Sequence, residues 1–220
     1  TLIRSGGVGG RVMEAAAAGA AGLAQVPHVE MGGKTDPQIL RDIFLAAAVP
    51  ERDIPALLHR AIAEAVRLLA EAKSDLRTAG HVLPGIAEVL PRLDERAGVR
   101  QSTVTGNLAA NALVKLSSFG LIEHLDTAIG AFGSDHHDRE RLVPIALGRA
   151  ARLRGDGFDP GDVWVVGDTP HDLACAQAAG VRCLLVATGA YALADLEDLA
   201  PDVALPDLGD VESVVAILSG

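Results

Sequence analysis

Two carboxylates four residues apart stand out in the stretch VWVVGDTPHDLACAQAAG, residues 163–180. Asp168 closes an apolar run that reads as a buried strand, and Asp172 falls just inside the alanine-rich helix that follows. Paired acids at a strand end form a hard oxygen site of the kind that suits Mg²⁺. The same two residues also suit a helix N-cap and a first-turn acid. A second place for chemistry is Thr105-Gly106-Asn107, at the end of QSTVTGN. There a hydroxyl and a glycine turn would present Oγ and backbone N–H groups to an anion. Capping by Asn107 is the alternative. Arg139, Arg141 and Lys115 are the basic residues placed to bring positive charge to the same region. His136 and His137 are adjacent and have no second ligand pair at a suitable spacing, so they read as loop residues. The glycines of SGGVGGR (5–11) lack the G-x-G-x-x-G spacing and follow no visible strand, which excludes a dinucleotide fingerprint.

The elements needed to position these residues fall into two kinds. Residues 12–25 predict a helix, Asp36-Pro37 opens another that runs to about residue 48, and 49–75 predict a long amphipathic one with Leu57, Leu58, Ala61, Ile62, Ala65, Leu68 and Leu69 on a shared face. From about residue 80 short apolar strands alternate with helices, and VWVV and CLLVA read as strands buried on both sides. This grammar predicts an α/β fold, a Rossmann-like doubly wound parallel sheet carrying an inserted all-helical segment. In such sheets ligands bind at the carboxyl ends of the strands. Residues 103–107, 130–135, 167–172 and 187–189 are the segments predicted there.

Composition narrows the function. The chain has 220 residues, 49% of them apolar but only 3% aromatic, so its core is aliphatic. A net charge of −10 without a basic run argues against nucleic acid or an anionic membrane as partner. No apolar run reaches the roughly 18–20 residues of a membrane span. Cys175 and Cys183 have no zinc-like company and read as free thiols, which suits a cytoplasmic protein.

Taken together, TVTGN, a basic residue opening a later helix, and VVGDTPHD resemble the haloacid dehalogenase-like (HAD) hydrolase superfamily, in particular its phosphoglycolate phosphatase-like branch. The resemblance covers essentially the whole chain. It implies a core formed by residues 1–11 and 80–220 and a helical cap formed by residues 12–79. Thr105 stands at the family's second motif, with Gly106 and Asn107 beside it as phosphate contacts. Arg139 stands at the third, with Lys115 or Arg141 as alternatives because the branch's usual KP form is absent. Asp168 and Asp172 stand at the fourth, GDxxxD, as Mg²⁺ ligands, Asp172 alternatively orienting Asp168 and the basic residue. TLIRSGGVG resembles the segment that follows the family's first motif, DxDGT, with Thr1 as its last residue. The nucleophilic and acid/base aspartates of that motif are therefore expected upstream of Thr1.

The activity implied is Mg²⁺-dependent hydrolysis of a small phosphomonoester through an aspartyl-phosphate. Phosphoryl mutase or phosphonate hydrolase chemistry, and a phosphate-binding module without catalysis, are the alternatives. Lys34, Thr35 and Asp36, on the cap loop MGGKTDPQIL, are expected to contact the leaving group or simply to cap a helix. A small phosphorylated metabolite is the expected partner, and the chain is expected to be a monomer or homodimer.

Overall fold

The computed structural model describes residues 1–155 and 157–220. The chain opens with β1 (Ile3–Arg4) and then runs through four helices, α1 (Val8–Ala21), α2 (Asp36–Ala46), α3 (Ile54–Glu71) and α4 (Lys73–Ala79). It returns through β2 (His81–Val82) to α5 (Ile86–Asp94), β3 (Val104–Thr105), α6 (Ala109–Ser118), β4 (Ala131–Phe132) and α7 (Leu142–Arg154). It ends with β5 (Trp164–Gly167), α8 (Pro170–Ala179), β6 (Arg182–Val186), α9 (Leu193–Glu197), β7 (Val203–Leu205) and α10 (Val211–Ser219).

The α/β class and the parallel strand pairing expected from the sequence are present. β5, β6 and β7 form one parallel ladder and β3 and β4 another, with Val104 opposite Ala131 and Val165 opposite Cys183. The single sheet expected from the alternation is divided: among the described residues β3 and β5 share no ladder. The two pieces still share a core, since Val104 packs on the cluster of Leu173, Cys183 and Leu185. Strand β6 shows why these segments read as apolar throughout. Cys183 and Leu185 enter that cluster, while Leu184 and Val186 enter a second one with Ile86, Val89 and Val214, so helices cover both faces.

The helical segment has its own core. Ile54, Leu57, Ala61, Ala65 and Leu69 lie three or four residues apart along α3 and are buried against α1 and α2. Ala16 and Ala17 of α1 are fully buried, and their small side chains let α1 lie close to α3. Two boundaries differ from expectation. Helix α1 starts at Val8, so Gly9 and Gly10 lie in its first turn, and 49–75 is broken into a short 3-10 turn at Glu51–Asp53, α3 and the start of α4. β1 and β2 pair antiparallel, Ile3 with Val82 and Arg4 with His81, so the chain enters and leaves the helical segment side by side. No helix among the described residues is long and apolar enough to cross a membrane.

Candidate active site

The acidic turn forms because β5 stops at Gly167 and α8 needs an N-terminal cap. Thr169 is the N-cap and Asp172 completes a capping box. Asp172 Oδ2 accepts from the Thr169 N–H at 3.0 Å, the Thr169 hydroxyl at 2.8 Å and the Asp168 N–H at 3.1 Å. Its Oδ1 accepts from Nη2 of Arg139. Both oxygens of this buried carboxylate thus accept hydrogen bonds from the protein. Its geometry is that of the orienting group, tying Arg139 to the backbone of Asp168.

Asp168 is differently placed. Its Oδ1 accepts from the Thr1 hydroxyl at 2.8 Å and lies 3.2 Å from the Thr1 backbone nitrogen. Burial opposes its ionisation, while the Thr1 hydroxyl and the positive charge of Arg4 favour it. A Cβ on Gly189 would come within 2.6 Å of Asp168 Oδ2, so the segment after β6 closes against this acid. The neighbouring Thr188 has a buried hydroxyl without a hydrogen-bond partner, a polar group left for a ligand. Mg²⁺ commonly needs only one or two carboxylates besides water and phosphate oxygens. Asp168 fits as one such anchor. Among the described residues no three acids, histidines or cysteines gather as a metal site.

The second turn follows β3. Thr105 Oγ1 accepts from the Asn107 N–H at 3.2 Å, a hydroxyl turn that aims the backbone at the strand end. Asn107 is not the cap of α6; Leu108 holds that position and has no side chain to offer. Asn107 Oδ1 instead accepts from the Lys115 ammonium. Lys115 lies against the first turn of α1, where a Cβ on Gly9 would be 3.4 Å from its Nζ. Desolvation lowers the Lys115 pKa and the Asp36 carboxylate opposes that shift; desolvation raises the Asp36 pKa, with Lys115 and the Leu108 N–H opposing.

The loop from Gly33 to Asp36 links the two turns. Arg139 Nη1 donates to Gly33 O at 3.3 Å, Thr35 Oγ1 to His137 O at 2.8 Å, and the Asp36 N–H to Gly106 O at 2.7 Å. Gly106 permits this approach: a Cβ there would meet Lys34 O at 2.3 Å. Gly33 has φ +70° and lies on the His171 ring, which a side chain would strike at 2.0 Å.

Of the two roles expected for Lys34, Thr35 and Asp36, Thr35 takes the helix cap, at the start of α2. Lys34 pairs with Asp42 at 2.7 Å, Thr35 is fully buried with its hydroxyl on His137, and Asp36 faces α6. Beside Arg139 the seam widens into a groove of about 300 Å³, lined by Gly33, Lys34, Asp42, Arg139, His171 and Cys175. Arg141 is exposed and takes no part in these contacts, and His136 and His137 stack on each other in the loop after β4. Burial pushes the Cys175 thiol up to about 11 and the Cys183 thiol to about 12, so neither is a nucleophile at neutral pH.

Sequence reasoning missed Arg4, which donates to Thr188 O and adds positive charge near Asp168. It also missed Ser134, whose hydroxyl accepts from the Ala109 N–H at 2.9 Å. Arg4 lies in TLIRSGGVG and Ser134 in the predicted strand-end segment 130–135, but neither was singled out, because only chain folding brings them to these partners.

A family profile described as HAD-hydrolase-like matches residues 140–211, which include Asp168 and Asp172. A hydrolase from Pseudomonas syringae superposes with a TM-score of 0.71 at 17% identity, covering 100% of this chain and 95% of that one. The chain is thus similar to HAD-like hydrolases in sequence over residues 140–211 and in fold over its length. The identity to that structure is low, and the likeness is one of fold. The chain is also similar in sequence to two curated proteins. Phosphoglycolate phosphatase 1 of Pseudomonas aeruginosa is 28% identical over 147 residues, 67% of this chain. The plasmid phosphoglycolate phosphatase of Cupriavidus necator is 29% identical over 189 residues, 79% of this chain and 75% of that protein. The matched part of the chain spans about half, 52%, of the length of the Pseudomonas aeruginosa relative.

Proposed function

We propose that this protein is a phosphatase that hydrolyses a small phosphomonoester with Mg²⁺ and an aspartyl-phosphate intermediate. The observation that carries the reading is the Asp172 hub, which fixes a guanidinium and the Asp168 turn on one strand edge. In this reading the nucleophile is a carboxylate preceding Thr1, whose hydroxyl lies against Asp168. The carboxylate attacks phosphorus, the ester oxygen leaves with a proton, and water then cleaves the acyl phosphate. Thr105 and the backbone of Gly106 and Asn107 would hold the phosphate oxygens, and Lys115 and Arg139 would offset their charge. Asp168 would hold Mg²⁺, which when bound neutralises charge between the acids and the phosphate.

Residues 12–79 would act as a cap that excludes water. Two curated relatives bear phosphoglycolate phosphatase names, which supports the substrate class and leaves phosphoglycolate one candidate within it. The test is phosphate release from p-nitrophenyl phosphate, by chain that includes the nucleophile motif, with Mg²⁺ and after chelation. Release that needs Mg²⁺ and drops at least about 100-fold in Asp168→Asn supports the reading. Phosphate binding without release would replace it with a non-catalytic phosphate-binding module.

A further inference from the structure

Helix α6 carries the Thr105–Asn107 turn at its N-terminus, yet it has no capping side chain of its own, because Leu108 occupies the N-cap. Its first N–H groups are served from elsewhere in the chain. Ser134 accepts from Ala109, and Asp36 Oδ2 accepts from Leu108 at 2.8 Å across 72 residues of sequence. Asp36 belongs to the helical segment and is 5% exposed. Its own N–H donates to Gly106 O, so one residue holds both sides of the turn. The capping box of α2 uses Thr35 and Gln38, which leaves the Asp36 carboxylate free for this role. Asp36 also attracts Lys115, which is bonded to Asn107 of the same turn.

We propose that Asp36 is a positioning residue, a latch through which the cap supplies the missing cap of α6, so that the phosphate turn is ordered only while the helical segment is docked. A helix N-terminus with its first N–H groups buried and unserved is unfavourable. Undocking the segment leaves the Leu108 N–H and Gly106 O without partners, and the turn then loses its fixed geometry. The contact itself is independent of the phosphatase reading; its effect on turnover rests on that reading.

Amide hydrogen exchange by NMR, resolved at Leu108 and Ala109, tests the contact without any assay of activity. Asp36→Ala is expected to speed exchange at Leu108 about tenfold, the effect of losing one cap. Asp36→Asn retains an acceptor oxygen and is expected to keep most of the protection. Should Asp36→Ala fail to fold, Asp36→Ser, too short to reach the Leu108 N–H but well tolerated at a helix start, takes its place. Wild-type protection at Leu108 in the Ala or Ser variant would overturn the proposal. So would equal loss in Asp36→Asn, because charge and not the accepted hydrogen bond would then hold the contact.

With p-nitrophenyl phosphate, the Ala variant is expected to lose kcat with little change in KM, and Asn to restore most of it. A pure loss of stability would move neither in that pattern. If the wild-type protein releases no phosphate, the phosphatase reading fails while the exchange result still decides the latch.

Discussion

Arg139 joins three parts of the molecule: its guanidinium bonds Asp172 and Gly33 O, and its carbonyl accepts from the Cys175 thiol at 3.4 Å. Asp172 is buried and has no second cation among its partners. Arg139→Ala is therefore expected to cost about 3 kcal/mol, the usual penalty for stranding one member of a buried pair, read as a lower urea midpoint. Arg139→Lys keeps the charge but lacks the fork that reaches both partners, and should fall between. Their contact was legible only through the family resemblance, as one of two roles for Asp172, because 33 residues of chain separate the pair and no local pattern joins them.

Asp135 gives a pH prediction at the same scale. Arg149 grips it with two hydrogen bonds of 2.6 and 2.8 Å, and that grip, opposed by burial and helped by the Phe132 N–H, lowers its pKa. A carboxylate depressed on folding stabilises fully above its unfolded value and loses that contribution as pH falls through the folded one. Stability should thus drop below the ordinary value of 3.8, and more gently in Asp135→Asn. Thermal unfolding between neutral pH and about pH 2 would register the difference in slope.

Among the elements, the helix that begins at Asp36 was the easiest to foresee, since a capping residue, a proline and an amphipathic run coincide there. Its cap is nevertheless Thr35, one residue earlier, and what the Asp36 carboxylate does instead was invisible. Capping is a local habit, whereas an acid that serves another helix depends on folding of distant chain. Helix α1 was expected to begin four residues late, because the glycines at 9 and 10 argue against helix by propensity; packing beside Lys115 and Met31 overrides that cost.

Gly106→Ala tests how closely the loop must seat. The added methyl meets Lys34 O at 2.3 Å and Thr35 Cα at 2.9 Å, both backbone atoms. The loop is expected to lift, and limited proteolysis should then cut within residues 26–36 at least several-fold faster than in the parent protein.

At the scale of the whole molecule, the alternation of strands and helices was legible because strands such as β6 are apolar on both faces. The division into two ladders was not, since ladder partners are set by three-dimensional proximity that periodicity does not encode. The helical segment and the α/β part have separate cores, and Leu108 is the buried α6 residue that enters the helical one, with Val114 packed beside it. Leu108→Ala should cost about 2–4 kcal/mol and weaken the coupling between the parts. Trp164, the only tryptophan, lies in the α/β part. Its fluorescence should follow far-UV ellipticity in the parent protein and separate from it along the denaturant axis in the variant.

The paired strands β1 and β2 carry one more consequence. Neighbouring strands run about 4.8 Å apart, so the two places where the chain crosses into the helices are almost a single point. Everything between Arg4 and His81 hangs from that point like a tool in a chuck. A foreign helical block with closely spaced ends can be spliced there without disturbing the acids of the 168–172 turn. To engage, it must present an acid to Leu108 and an N–H to Gly106. Under the phosphatase reading proposed above, substrate choice would be an exchangeable attachment, free to change while the chemistry beneath it stays fixed.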